Sequence, residues 1–156
     1  MYNTILVPHG GTEAGDEALK HATHIAKSSS SKIIILHIIE EISYPMSFAL
    51  AESERENLLS SIREANDSIR KDMEKEMEKK LESCKKEGIP VEIKVFSGNA
   101  AEHIIDLANE KKVDLIVMAK RRKLKGVKKL LTLGSVSRKV VENVTCPVLL
   151  IDIEKL

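Results

Sequence analysis

The sequence predicts an α/β fold: one doubly wound, five-stranded parallel sheet with four helices. Three observations carry that expectation. Apolar runs alternate with helix-periodic stretches along all 156 residues. Two runs, Lys32–Ile39 and Val113–Ala119, are apolar at nearly every position, as in strands covered on both faces. Five such runs are separated by helical segments, and parallel neighbours need crossover helices. Right-handed crossovers restrict the topology to a few orders, although periodicity alone does not give the strand order.

The elements follow in turn. Thr4–Val7 is a short β-branched run ended by Pro8 and the turn residues Gly10 and Gly11. Thr12 offers an N-cap oxygen, and Glu13, Asp16 and Glu17 load the first helical turn with acid. Ala18, Leu19, Ala22, Ile25 and Ala26 recur at helical spacing until the serine run Ser28–Ser31 stops the helix. Lys32–Ile39 is the second strand. Residues 40–53 lack a clear period and contain Pro45, which reads as a loop with at most a short helical turn. From Leu58 to Cys84 apolar residues return every three or four positions between Lys, Arg and Glu, the pattern of one long amphipathic helix. Gly88 and Pro90 close it. Its methionines Met73 and Met77 are expected to pack on the sheet rather than on a partner helix.

Val91–Phe96 alternates apolar and charged residues, which suggests an edge strand. Asn99 with Glu102 marks the start of a helix carrying Ile104, Ile105, Leu107 and Ala108. Val113–Ala119 is a fourth strand, followed by a long basic loop. Gly134 and Ser135 open a last helix ending near Val144, and Pro147–Ile153 closes the chain as a fifth strand.

Composition narrows the function classes. Hydrophobic residues make up 42% and charged residues 31%, the balance of a globular chain, and the length suits a single domain over 1–156. A net charge of +1 favours neither a nucleic-acid partner nor a membrane surface. The longest apolar runs, Ile33–Ile39 and Val113–Ala119, are seven residues each, too short to span a bilayer. Met1–Val7 reads directly into a strand rather than a leader peptide, so a cytoplasmic location is expected. Cys84 and Cys146 form no CxxC pair and read as reduced structural thiols. His21 and His24 share a helix face, but no further ligand stands at a zinc spacing, so no metal site is expected.

In open α/β sheets, ligands sit beyond the carboxyl ends of the strands where the winding reverses. Two helix starts near that crevice differ sharply in charge. The first begins with three carboxylates, Glu13, Asp16 and Glu17, which repel a phosphate. The last begins with Gly134, Ser135, Val136, Ser137, Arg138 and Lys139. Free N–H groups, hydroxyls and cations there make an anion site, unless Ser135 simply caps its own helix. No acid–base pair or activated nucleophile stands out, so no catalytic residue is assigned. His9, at the mouth of the first loop, is the one group placed for proton transfer.

The segments Ile5–Pro8, Gly11–Thr12 and Ala18–Ala22 together resemble the opening of the universal stress protein family. Leu36–Ile38 resembles its second strand, and Gly98, Ile104–Ala108 and Val113–Met118 its fourth βα unit. Gly134–Ser137 with Cys146–Leu149 resembles its C-terminal signature. The resemblance covers the chain except residues 40–90. It implies sheet order 3-2-1-4-5 and an adenine-nucleotide-binding-like fold, with the loops after strands one and four flanking the ligand. It further implies ATP or another adenine nucleotide as cofactor, with Mg only alongside it. Pro8, Ile38, Arg122, Gly126, Gly134 and Ser135 are the positions implied to meet that ligand, Ile38 as the apolar wall near adenine and Gly134 and Ser135 at the phosphates.

One loop departs from the family's pattern. ATP-binding members carry Gly, two residues, Gly, nine residues, then Gly and Ser or Thr. Here the first position is Ala119 and the second is best matched by Arg122, with eleven residues between it and Gly134 and Gly126 alone breaking that loop. The Asp that usually follows the first strand is Gly10. A non-Gly residue forced left-handed costs about 1–2 kcal/mol, and a lost neutral hydrogen bond about 0.5–1.5. One charge-assisted bond from the basic stretch Lys120–Lys129 contributes about 1.5–3 kcal/mol, enough to offset either loss. The longer loop can equally fold differently and block the pocket.

The leading expectation is a non-enzymatic stress-response or signalling protein with a divergent ATP-binding loop. A nucleotide-dependent enzyme of a related α/β fold is the alternative, since Pro8–Thr12 is superficially similar to a phosphate-binding first loop. A further alternative is a polyanion- or RNA-binding module using the basic loop. With 3% aromatic residues overall and none in that stretch, base stacking is missing and nucleic acid is disfavoured. Val148–Ile151 is apolar on both faces and Ile153 continues one of them; at the expected sheet edge this predicts a homodimer joined through Val148–Ile153.

Overall fold

The expected sheet is present in full. In the computed structural model, which describes residues 1–43, 50–120 and 134–152, five parallel strands hydrogen-bond in the order 3-2-1-4-5. They are β1 (Thr4–Pro8), β2 (Lys32–Ile39), β3 (Val91–Ser97), β4 (Leu115–Lys120) and β5 (Val148–Asp152). The helices between them are α1 (Glu13–Ser29), α2 (Glu52–Lys86), α3 (Ala100–Glu110) and α4 (Ser135–Asn143).

Alternation along the inner strands divides the core into two layers. Ile5, Val7, Ile33, Ile35, Leu115 and Val117 face α1 and α2, meeting Ala18, Leu19, Ala22 and Met77. Leu6, Ile34, Leu36, Ile116 and Met118 face the other way, onto Ala101, Ile104 and Leu107 of α3 and Val140 of α4. Met77 is fully buried, as its helical spacing requires. A side chain of that size buried from water contributes about 1.5–3 kcal/mol. At β3, by contrast, every residue is only half-buried, which accounts for the alternating pattern of this edge strand.

The helix signals act as their chemistry requires. Thr12 accepts a hydrogen bond from the Gly15 N–H at 3.4 Å and Asn99 one from the Glu102 N–H at 3.2 Å, each closing a first turn. Ser30 ends α1 in the left-handed region at φ 55°.

Strand ends shift by a residue from the expected ones, and two starts differ by more. The long helix starts at Glu52 rather than near Leu58, because its first turn is exposed and so carries no apolar period. Glu54 supports that start by accepting from the Ala51 N–H at 3.2 Å. The fourth strand starts at Leu115 rather than Val113, because Asp114 turns aside to bind β1. Its carboxylate accepts from the Asn3 and Thr4 N–H groups at 2.8 and 2.9 Å, bonds that hold its pKa below the usual carboxylate range.

Candidate functional site

The sheet opens where β1 and β4 part. These two strands pair only through Ile5–Leu115 and Leu6–Ile116. Beyond that point β1 continues against β2 as far as Pro8, while β4 continues against β5 as far as Lys120. The two central strands thus diverge toward opposite neighbours. The result is a cavity of about 800 Å³ beyond their carboxyl ends, at the reversal of winding.

Each wall comes from a different element. Pro8, Gly10 and Thr12 form the rim after β1, and Ile38 and Ile39 the end of β2. Met118, Ala119 and Lys120 supply the end of β4, and Gly134–Ser137 the start of α4. Pro8, Ile38, Gly134 and Ser135, dispersed along the sequence, therefore meet at one cavity. Arg122 and Gly126 lie outside the described residues, as does the basic loop beyond Lys120. Lys120 itself lies 3.4 Å from Asp152 on the neighbouring β5.

The start of α4 has the features of an anion site. Gly134 is its N-cap and no side chain caps its first turn, so Ser135 does not close its own helix. Ser137, on that same turn, is 4% exposed. Among the described residues its hydroxyl has no hydrogen-bond partner. Buried hydroxyls are ordinarily satisfied, so this one is an available donor at the cavity wall. Opening N–H groups, helix dipole and hydroxyl converge there.

The start of α1 is organised differently. His9 lines the cavity, as expected, but is only 2% exposed, packed beneath the helix rather than open to solvent. Gly15 makes the room: a Cβ there would lie 2.8 Å from the His9 ring. The His9 Nε2–H donates to Asp16 Oδ1 at 3.0 Å, and Lys80 of α2 approaches the same oxygen at 2.6 Å. Burial pushes the His9 pKa down, more than the Asp16 carboxylate raises it. Burial raises that of Asp16, but Lys80 and His9 outweigh it and leave the carboxylate below its ordinary range. Two of the three carboxylates expected to repel a phosphate are therefore already paired, Asp16 with Lys80 and His9, and Glu17 with Lys20 at 3.5 Å.

Sequence patterns missed the part that α2 and His37 play here. Ile69 and Met73 from the middle of α2 line the cavity, as does His37 of β2. The Met73 sulfur lies 3.5 Å from where a Cβ on Gly11 would stand, and Gly11 has a φ of +70° that favours glycine. His37, 4% exposed, donates from Nδ1 to the carbonyl oxygen of His9 at 2.7 Å. The signal was available only as a polar residue inside an otherwise apolar buried strand.

Among the described residues no helix is long and apolar enough to cross a membrane, and no group of three or more His, Cys, Asp and Glu is placed to hold a metal ion.

Comparisons with known proteins agree with this architecture. Universal stress protein YxiE of Bacillus subtilis is 34% identical over 155 residues, covering 97% of this chain and 99% of that protein. The solved structure of universal stress protein MJ0577 of Methanocaldococcus jannaschii superposes with a TM-score of 0.68 at 27% identity, covering 100% of this chain and 99% of that one. A universal stress protein solved in complex with cAMP is 25% identical with a TM-score of 0.59, covering 97% of both chains. The model of the universal stress protein family matches residues 1–152, so the chain belongs to that family.

Proposed function

We propose that this chain is a stress-response or signalling protein that binds an adenine nucleotide in the cavity between β1 and β4. One observation carries the reading: the start of α4, which no side chain caps, presents at the wall of that cavity the buried Ser137 hydroxyl, which has no partner among the described residues. Phosphates lie against the Gly134 and Ser135 N–H groups, and the base lies toward Ile38 and Pro8 at the other side. The cAMP complex of a relative at 25% identity supports an adenine ligand. Mg enters together with the nucleotide.

Gly10 and Ala119 stand at the cavity in place of the family's Asp and first Gly, so affinity depends on how far cations replace those contacts. Calorimetry with ATP, ADP, AMP and cAMP, with and without Mg, tests the reading. Binding that disappears in Ser135→Asp while the fold is retained supports it, because a carboxylate there repels phosphate. Absence of heat with every nucleotide overturns it. Chromatography of the same mixtures distinguishes the enzyme alternative, which requires ADP or AMP to accumulate from ATP.

A homodimer joined through β5 is proposed on a separate observation. β5 stands at the edge of the sheet and its Leu149 is 36% exposed. Apart from Asp152 at its end the strand is apolar, and such an edge pairs readily with a second copy, two-fold antiparallel pairing satisfying both edges at once. Ile153, which the expected interface included, lies outside the described residues.

A further inference from the structure

The β1–α1 loop, which rims the cavity, is fastened by one residue at four points. The His9 N–H donates to the Leu36 carbonyl at 2.8 Å, and the His9 carbonyl accepts from His37 Nδ1 at 2.7 Å. The His9 ring accepts the Gly11 N–H at Nδ1, 3.0 Å away, and donates from Nε2 to Asp16, also at 3.0 Å. The partners dictate the tautomer. A backbone N–H can only donate, so Nδ1 must be unprotonated; the proton then sits on Nε2, facing the carboxylate.

We propose that His9 is the positioning residue of the β1–α1 loop, and that a second proton on its ring releases Gly11 and loosens the cavity rim. A proton on Nδ1 would point at the Gly11 N–H, turning a hydrogen bond into an opposition of two donors. The ring cannot slide away, because Gly15 contacts it from α1 at a distance that excludes even a methyl group. Gly11, at φ +70° with nothing larger than hydrogen on its Cα, is the link that yields. The charged and titratable groups facing the ring are Asp16 from α1, Lys80 from α2 and His37 from β2. Asp16 favours the protonated ring; Lys80 and His37 oppose it, and burial opposes it most. Release therefore begins below the ordinary histidine range. The effect on ligand affinity rests on the nucleotide reading above, whereas the release of Gly11 does not.

The test uses the full chain without ligand. Amide and imidazole resonances are followed by NMR from about pH 8 to about pH 5. The Gly11 amide proton is expected to move upfield along the same curve as the His9 ring, as its hydrogen bond is lost. A His9 ring that titrates while Gly11 stays still overturns the proposal. A ring that stays neutral until the chain unfolds overturns it equally. ATP affinity is then measured across the same range for the native chain and for His9→Asn, whose amide oxygen keeps an acceptor for Gly11 but does not titrate. The native chain is expected to lose about three- to tenfold more affinity than the variant on acidification, the worth of one hydrogen bond. The ligand's own protonation is common to both chains and cancels. Identical pH dependence in the two overturns the coupling. If neither chain binds ATP at any pH, the nucleotide reading fails and the NMR result alone decides the role of His9. The same result decides if His9→Asn does not fold.

Discussion

His37 donates through Nδ1 to the carbonyl oxygen of His9 at 2.7 Å, joining the end of β2 to the first residue after β1. The bond lies just past the last strand pair, Pro8–Leu36, beside the backbone bond from the His9 N–H to the Leu36 carbonyl. Removing the donor leaves a buried carbonyl unsatisfied. His37→Phe, which keeps a ring of similar shape, is expected to cost about 1–3 kcal/mol of stability. Urea denaturation checks it, and a loss under about 0.5 kcal/mol would show that the carbonyl finds another partner.

Acid should destabilise the fold in two windows. Burial lowers the folded-state pKa of His9 below the ordinary 6.5, so the unfolded chain takes up that proton first. This contribution is complete above pH 6.5 and is lost as pH falls toward the folded value. Asp16 adds a second window, complete above its ordinary 3.8 and lost as pH falls through its lower folded value. Thermal melts at stepped pH should show both declines, and His9→Asn should remove the upper one alone.

Gly15→Ala reverses the usual helix preference. An exposed helical Gly→Ala change stabilises by about 0.5–1 kcal/mol. Here the new Cβ would stand 2.8 Å from the His9 ring, so a net loss of about 1–3 kcal/mol is expected instead. Gly10→Ala is the control: its Cβ meets nothing closer than Thr12 Oγ1 at 3.9 Å, and its melting temperature should barely move.

Ser137→Ala separates binding from folding. A hydroxyl without a partner among the described residues holds nothing together, so its removal should leave stability unchanged or slightly raised. Nucleotide affinity should fall about three- to tenfold by calorimetry. A destabilised variant with intact binding would assign the hydroxyl to the fold instead.

Leu149→Lys addresses the β5 edge. A charge at this exposed position should leave the monomer folded and convert a dimer to monomer by light scattering. An unchanged dimer would place the interface elsewhere.

The order of elements, the doubly buried strands and the helix caps were all legible in the sequence. They depend on local propensity and on burial of whole faces, which leave periodic traces such as Ala18, Leu19 and Ala22 or the run Ile33–Leu36. The family resemblance supplied the strand order, and Gly134 with Ser135 announced an anion site through dipole and charge. What the sequence did not disclose depends on contacts between distant elements. The role of His9 is the clearest case: its position suggested an exposed proton carrier, while packing against Gly15 and pairing with Asp16 and Lys80 bury it beneath a helix. His37 and Met73 meet Gly11 only because a strand and a long helix converge over one turn. Such meetings leave no period in the chain. They arise from the packing of α1 and α2 over the ends of β1 and β2, which only the assembled fold decides.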